Sequence, residues 1–315
     1  MILLTNSQLT TFRRCQREHH YAYQLGYRAI EDAEALRFGT LIHQGLEAWW
    51  SGLDLEEALE LAVVGAADEY EAAKVRVLLT GYDARWAGER FNVTAVERQF
   101  RAPLVNPETG APSRTYELGG KVDVLLARGI VEHKTTSEEI GVGSMYWRRL
   151  ALNSQVSTYY AGAKALGHEV DSCLYDVIRK PAIRPLKATP LESRKFTKDG
   201  RLYAAQRDHD ETVQEYAARL TEEVAASPDK YFQRGEVVRL EAEEREAAFD
   251  VWQLARSMRE AELAGRAPRN TDACMRYGRI CPFFDCCSGV ASLDDKGRFT
   301  RVENVHQELS IEAAE

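Results

Sequence analysis

Two acidic residues and a lysine lie close together in the middle of the chain. Asp123 lies in GGKVDVLL, and Glu132 and Lys134 are two residues apart in VEHKTTS. Carboxylates are hard oxygen ligands for Mg²⁺ or Mn²⁺, and an ammonium group can orient water and stabilise charge that develops on phosphorus. This set of residues is typical of a metal-dependent phosphodiesterase. An exposed strand with an ordinary surface ion pair has the same pattern.

A β-hairpin is the element that would bring these side chains together. Residues 122–126 and 130–134 are apolar or β-branched runs separated by a break that contains a glycine. The glutamate and lysine of the second run share a face because strand side chains alternate. A two-residue turn at 128–129 predicts that Lys134 lies opposite Asp123, whereas a three-residue turn would send Asp123 to the other face.

Composition indicates an ordinary soluble protein. The chain has 315 residues, of which 44% are hydrophobic and 29% are charged. No apolar run reaches the roughly 20 residues of a membrane span, and the first ten residues lack the basic start and apolar core of a secretory signal. We therefore expect a cytoplasmic protein without a membrane partner.

The formal net charge of −8 argues against a broad nucleic-acid-binding surface, but one segment is strongly basic. Residues 179–207 carry nine Lys or Arg and two acidic residues, a local charge of +7. The segment is either a phosphate-binding wall or a solvated loop. Its basic residues are Arg179, Lys180, Arg184, Lys187, Arg194, Lys195, Lys198, Arg201 and Arg207.

The pattern of apolar residues and caps predicts a mixed α/β core without internal repeats. His43 falls in the first turn of a helix that begins near Phe38, and Gln155 and Tyr159 share one face of a later helix. We predict helices over residues 7–26, 38–50, 55–86 (one or two helices, interrupted at Gly81), 153–166, 210–226 and 240–265. Strands are predicted from residue 93, in the hairpin and over 172–180.

Taken together, these motifs resemble the PD-(D/E)XK nuclease superfamily, in the RecB-like branch that includes the AddB nuclease domain and the CRISPR-associated adaptation exonucleases. His43 in FGTLIHQGLE is similar to the first motif, a helix-borne histidine. Asp123 is similar to the second, although Val122 stands where the family has proline. Glu132-His133-Lys134 is similar to the third motif. Gln155 and Tyr159 are similar to the fourth motif, the Q-x-x-x-Y pair.

The resemblance implies a restriction-endonuclease-like fold, a mixed central sheet flanked by helices. It implies one nuclease domain over residues 1–290 and a mobile polar tail over 291–315. The metal ligands would be His43, Asp123, Glu132 and the backbone carbonyl of His133. Lys134 would be the catalytic lysine, and Gln155 and Tyr159 would frame the site beside DNA. Glu97 in AVERQF would be a supporting carboxylate or, more simply, a buried ion-pair partner.

Six cysteines are unevenly distributed, and four of them lie within fourteen residues near the C-terminal end. Close-spaced thiols in a reducing compartment favour metal binding over disulfides. The resemblance implies a 4Fe-4S cluster, or alternatively a structural Zn²⁺, that joins the two chain ends. The ligands would be Cys15, Cys274, Cys281 and Cys287, with Cys173 and Cys286 as bystanders, because five residues separate Cys281 from Cys287.

The function implied by the resemblance is metal-dependent hydrolysis of DNA by an exonuclease or DNA end-processing enzyme. The substrate would be single-stranded or frayed DNA with free ends, and the partner a helicase or recombination protein, as in DNA repair. Two alternatives stay open. One is a non-catalytic DNA-binding scaffold for a helicase or integrase, and the other is a structure-specific endonuclease.

Overall fold

A six-stranded mixed sheet forms the centre of the computed structural model, which describes residues 1–30, 34–89, 91–150, 152–276, 278–306 and 309. The strands are β1 (Ile2–Thr5), β2 (Tyr27–Ala29), β3 (Val93–Val105), β4 (Pro112–Leu126), β5 (Gly129–Thr136), β6 (Ser172–Arg179), β7 (Phe232–Val237), β8 (Met275–Arg276), β9 (Arg279–Ile280) and β10 (Phe299–Arg301). The helices are α1 (Asn6–Arg14), α2 (Gln16–His19), α3 (Glu34–Trp50), α4 (Leu55–Ala62), α5 (Glu69–Trp86), α6 (Met145–Leu150), α7 (Ser154–Ala165), α8 (Val213–Ala226), α9 (Pro228–Tyr231), α10 (Glu241–Ala264) and α11 (Phe284–Ser288).

The long strand β4 organises the sheet. β3 pairs with it antiparallel along one edge, while β1 (parallel) and β5 (antiparallel) share the other edge. β6 then pairs with β5 in parallel, and β7 pairs with β6 antiparallel. The prediction of a mixed central sheet flanked by helices is confirmed.

Helices cover both faces of the sheet because strand side chains alternate between two apolar cores. Ile130 and Val177 belong to the core shared with α1, α7 and α10. The adjacent residues Val131 and Ile178 belong to the core shared with α3, α5 and α8. The site residues of the strands therefore lie between α7 on one side and α3 on the other.

The predicted N-terminal helix is divided at Cys15. α1 starts after Thr5, whose side chain accepts a hydrogen bond from the Gln8 N–H, rather than at Ser7. Cys15 is extended (φ −156°, ψ 113°), and a short helix and a π-helical turn over residues 20–24 follow. The break places Cys15 next to the C-terminal part of the chain, where the Arg17 N–H bonds to the Pro268 carbonyl at 3.1 Å.

The other predicted helices form with shifted ends. The 55–86 segment divides into α4 and α5 at residues 63–68, whereas Gly81 lies within α5, where a side chain would collide with Val224 and Phe232. Asn153 caps α7 as predicted, and Gly265 ends α10 in the left-handed conformation. None of the described helices combines the length and the apolarity needed to cross a membrane.

The start of the predicted mobile tail is packed onto the N-terminal region. β10 pairs antiparallel with β2, and Phe299 is buried and stacks on Phe283 with centroids 5.4 Å apart. A large apolar side chain explains why this segment folds back despite its polar surroundings. Residues 307, 308 and 310–315, where the predicted tail ends, lie outside the described residues.

Candidate active site

The candidate site lies at a gap in the sheet beside β4. β1 pairs with residues 116–119 of β4, and β5 pairs with β4 at Val124 and Leu125. Within the part of the chain that the structure describes, residues 120–123 have no strand partner on this edge. Side chains from both layers of helices can therefore reach the same edge of β4.

The hairpin turn is shifted by one residue from the prediction. Leu125 pairs with Ile130, so the two turn residues are Ala127 and Arg128 rather than 128–129. In this register Glu132, not Lys134, is the residue opposite Asp123. The shift does not change which side chains share a face. A two-residue turn at 127–128 or at 128–129 keeps Asp123 on the same face as Glu132 and Lys134.

Asp123, Glu132 and Lys134 form one charged group. Asp123 Oδ2 accepts a hydrogen bond from the His133 backbone N–H at 2.7 Å, in the place of a ladder bond. Lys134 donates to Glu132 Oε1, whereas Glu132 Oε2 is buried without a hydrogen-bond partner. Burial and the charge of Asp123 raise the pKa of Glu132 to about 8. Burial disfavours the Lys134 cation, but the charges of Glu132 and Asp123 outweigh that effect and raise its pKa.

His43, Glu97 and Asp123 form a donor set that fits one metal ion. A ligand atom from each lies within 4.8 Å of the other two. The His43 Nδ1 is 4.0 Å from Asp123 Oδ1, and burial lowers the pKa of His43 to about 4, which keeps the imidazole neutral and able to bind metal. Glu97 is also ion-paired with Lys121. Glu97 is therefore an ion-pair partner, as expected, and its carboxylate also lies within reach of His43 and Asp123.

Glu97 has an unusual backbone conformation. It lies within β3 at φ 52°, and within the described residues it is the one non-glycine residue with a positive φ. Such a conformation costs on the order of 1–3 kcal/mol and is common at functional sites. Burial and the charge of Asp123 raise the pKa of Glu97.

Gln155 and Tyr159 line the site from α7. The Gln155 amide donates a hydrogen bond to the Tyr159 hydroxyl oxygen at 2.8 Å. Gly120 of β4 lets this helix approach, because a side chain there would lie 2.7 Å from Phe100 and 3.3 Å from Tyr159. Gln155 and Tyr159 thus share one face of α7, as predicted, and this face points toward the site.

The His133 side chain lies on the other face of β5. It is buried 3.4 Å from Asp176, which is also ion-paired with Arg234. The Arg234 guanidinium lies 4.2 Å from the Trp86 ring centroid and also contacts Trp50, Tyr82 and Phe91. This buried network fixes the strand that carries Glu132 and Lys134.

All six predicted side chains around the metal site line one cavity of about 220 Å³. They are His43, Asp123, Glu132, Lys134, Gln155 and Tyr159. The cavity is also lined by Thr5, Asn6, Ser7, Gly119, Gly120 and Lys121, which the sequence interpretation did not assign to the site. Lys121 could have been found from its position two residues before Asp123 on one strand. The contribution of residues 5–7 depends on β1, which was not predicted.

Ion pairs neutralise part of the basic segment over 179–207. Four of its nine cations contact carboxylates: Arg179 with Glu139, Lys180 with Glu34, Lys187 with Asp210, and Arg207 with Glu215. The segment is therefore not a continuous wall of free positive charge.

The four predicted cluster cysteines come from parts of the chain that contact each other. The Cys281 N–H bonds to the Cys274 carbonyl at 2.8 Å, and Arg17 Nε bonds to the Ala267 carbonyl at 2.6 Å. In the part of the chain that the structure describes, no three cysteine sulfurs lie within 4.8 Å of one another. The four-cysteine cluster is thus not formed as a close group in this structure.

A family model and one solved structure agree with this fold. The family model of the PD-(D/E)XK nuclease superfamily matches residues 4–288. A solved structure described as a "Putative exonuclease" from Eubacterium rectale is similar, with a TM-score of 0.51 and 10% identity over 92% of this chain and 88% of the other. A second structure, SSO0001, has a TM-score of 0.21 and 15% identity over 60% of this chain and 74% of its own. The search of curated proteins gives no match.

Proposed function

Because the chain belongs to the PD-(D/E)XK nuclease superfamily, we propose that it is a Mg²⁺- or Mn²⁺-dependent deoxyribonuclease. The observation that carries the proposal is the cavity in which His43, Asp123 and Glu132 meet Lys134. Metal-binding oxygen and nitrogen atoms and a catalytic cation are the groups that phosphodiester hydrolysis requires.

The donor set supports a hard divalent ion. Asp123 and the neutral His43 offer preformed ligand atoms, and the unpartnered Oε2 of buried Glu132 leaves a lone pair for a cation. We propose these three side chains and the His133 carbonyl as ligands, with Glu97 as a further carboxylate. When bound, the ion supplies Lewis-acid stabilisation of the phosphoryl oxygens and lowers the pKa of water.

The remaining residues act on the substrate and the nucleophile. Lys134, held by Glu132 and kept protonated, orients the attacking water and stabilises the charge that builds on the phosphoryl oxygens. Gln155 hydrogen-bonds to the Tyr159 hydroxyl and can contact the scissile strand with its free amide atoms. Tyr159 itself stays neutral, because burial raises its pKa well above the usual value.

We further propose an exonuclease or end-processing enzyme that acts on single-stranded or frayed DNA. The fold similarity to the protein described as a "Putative exonuclease" is consistent with this proposal. A chain of the RecB and AddB type would act with a helicase or recombination partner in the cytoplasm. The cavity of about 220 Å³ has room for a phosphate group and water.

Cys15, Cys274, Cys281 and Cys287 are proposed to hold a 4Fe-4S cluster, with Zn²⁺ as the alternative. Burial raises the pKa of Cys281 to about 11 and also that of Cys287, and the charge of Cys15 adds to both effects, so these thiols lie within electrostatic range. The pKa of Cys286 is instead influenced, after burial, by Arg298 and nearby acidic residues. This difference supports Cys287 over Cys286.

Metal-dependent cleavage by matched variants tests the proposal. Wild-type protein should degrade labelled linear single-stranded DNA with Mn²⁺ or Mg²⁺ and not with EDTA. We expect Lys134→Met to reduce the rate at least about a hundredfold, the cost typical of removing one group that stabilises developing charge. The exposed residue Lys296 provides the control, since Lys296→Met should cut normally. Undiminished cleavage by Lys134→Met at unchanged circular dichroism would exclude the assignment.

The same proteins and assays distinguish the two alternative functions, a non-catalytic scaffold and a structure-specific endonuclease. A non-catalytic scaffold would bind DNA with no metal-dependent cleavage, even when the cluster is intact under anaerobic conditions. A structure-specific endonuclease would open circular single-stranded DNA, which an exonuclease leaves intact because it offers no end.

A further inference from the structure

The unpaired charge of the basic segment is concentrated on a small hairpin over residues 194–204. Phe196 and Leu202 form a β-bridge, and the Tyr203 N–H bonds to the Lys195 carbonyl at 3.2 Å. The turn closes where the Thr197 N–H bonds to the Arg201 carbonyl at 2.7 Å, which requires Gly200 at φ 74°. We call this element the basic hairpin.

The basic hairpin carries cations that are not neutralised. Lys195, Lys198 and Arg201 are exposed, and no ion pair joins any of them to a carboxylate in the part of the chain that the structure describes. Four of the other six cations of the segment are ion-paired with the carboxylates named above. Asp199 is the acidic residue of the hairpin, so residues 194–204 keep a formal charge of +3 on a chain whose net charge is −8.

Two aromatic rings alternate with these cations. Phe196 is 57% exposed and Tyr203 is 51% exposed, and they lie on opposite faces of the hairpin because Tyr203 is adjacent to Leu202, the bridge partner of Phe196. A two-stranded hairpin gains little stability from exposed rings, so these side chains do not serve a core. Exposed rings flanked by cations are the features that bind single-stranded nucleic acid, by stacking on bases and contacting phosphates.

The segment that carries the hairpin begins near the candidate site. It leaves β6 at Arg179, which pairs with Thr136, two residues beyond Lys134 on β5. Lys180, at the base of this segment, lies 4.9 Å from the Phe38 ring centroid at the start of α3, the helix that carries His43.

We propose that the basic hairpin is a binding site for a single DNA strand that passes round it, so that one base stacks on Phe196 on one face, another stacks on Tyr203 on the other face, and phosphates contact Lys198 and Arg201. The proposal rests on the proposed function for its substrate, and it adds a site outside the catalytic cavity. The contacts are independent of base sequence, because stacking and phosphate contacts suit every nucleotide.

Binding measured without cleavage tests the proposal separately from catalysis. Fluorescence anisotropy with labelled oligothymidylate in EDTA should show that Phe196→Ala and Tyr203→Ala each weaken affinity about fivefold or more. Lys198→Glu should weaken it further and reduce the salt dependence, whereas Lys296→Glu, which gives the same net charge at another surface, should not. Equal affinities of wild type, the two aromatic variants and Lys198→Glu would overturn the proposal and leave a protein partner as the occupant.

A cleavage assay distinguishes the two proposals from each other. If both hold, the aromatic variants should hydrolyse a dinucleotide at the wild-type rate but lose activity on long single strands through a higher KM. If the wild type cuts no DNA with Mn²⁺, the nuclease proposal fails. The anisotropy measurement still shows whether the hairpin binds single-stranded DNA. Unchanged melting curves would show that the variants are folded.

Discussion

At the scale of single residues, the proton on Glu132 should compete with the metal. Its pKa is raised to about 8 from 4.5 by burial and by the charge of Asp123, whereas His43 stays neutral above about pH 4. Binding of a divalent ion must displace that proton, so we expect metal affinity to rise with pH up to about 8. Calorimetric titration with Mn²⁺ at several pH values checks this, and Glu132→Gln should flatten the dependence.

The same proton predicts the pH dependence of stability in metal-free protein. The folded state keeps the proton up to about pH 8, while the unfolded chain loses it near 4.5. The contribution of Glu132 to stability is therefore fully present below 4.5 and is lost as pH rises through about 8. Melting curves in EDTA should show this loss in the wild type and not in Glu132→Gln. A wild-type melting temperature that rises relative to Glu132→Gln over this interval would contradict the prediction.

Two variants of Glu97 separate the effect of backbone strain from the effect of metal binding. Glu97→Gly and Glu97→Gln both remove the carboxylate, but only glycine accepts φ 52° without steric cost. We expect both variants to bind Mn²⁺ more weakly, and the glycine variant to be more stable than the glutamine variant by about 1 kcal/mol in urea unfolding. Equal stability of the two variants would mean that the left-handed conformation is not strained.

At the scale of elements, α7 depends on a buried arginine. Arg239 donates hydrogen bonds to the carbonyls of Leu150 and Asn153 and to Ser157 Oγ, and these residues surround the start of the helix that carries Gln155. We therefore expect the position of α7 to depend on these three bonds.

Replacement of this arginine tests the support of α7. Arg239→Met keeps the apolar stem but removes the hydrogen bonds to two carbonyls and one hydroxyl, so we expect a loss of about 2–4 kcal/mol of stability together with lower activity. Arg245→Met, at an exposed position on α10, should change stability by less than about 0.5 kcal/mol. Urea unfolding of both variants measures the difference, and equal effects would remove the special role of Arg239.

At the scale of the whole molecule, the two ends of the chain meet around the proposed cluster. Besides the Arg17 contacts, Asn270 Nδ2 bonds to the Arg14 carbonyl at 2.9 Å. A metal group held by Cys15 and the late cysteines would close a loop of more than 250 residues, with a large effect on the entropy of the unfolded chain.

Single cysteine variants test this closure. We expect Cys15→Ser and Cys287→Ser to lose the iron and sulfide of anaerobically purified protein and to lower Tm by about 10 °C. Cys286→Ser is the matched control, since it neighbours Cys287 and is not a proposed ligand. Absorption spectra, metal analysis and melting curves report the result. Zinc without sulfide would identify the alternative metal, and no bound metal in wild type would exclude both.

The sequence alone determined what depends on neighbours along the chain. Strand alternation put Glu132 and Lys134 on one face, helical spacing joined Gln155 to Tyr159, and Asn153 capped the helix that carries them. These features follow from backbone geometry over a few residues. The mixed α/β class also followed from the order of such local patterns.

Only the tertiary structure decided what depends on distant segments. The hairpin turn moved by one residue, which moved the position opposite Asp123 by two residues, from Lys134 to Glu132. β1 joined β4 and left a gap, and Glu97 and Lys121 came to the site across β3 and β4. Carboxylates far along the chain, such as Glu34 and Glu139, neutralised part of the basic segment. Pairing between remote segments has no local signature, because many registers satisfy the same alternation and packing selects one of them.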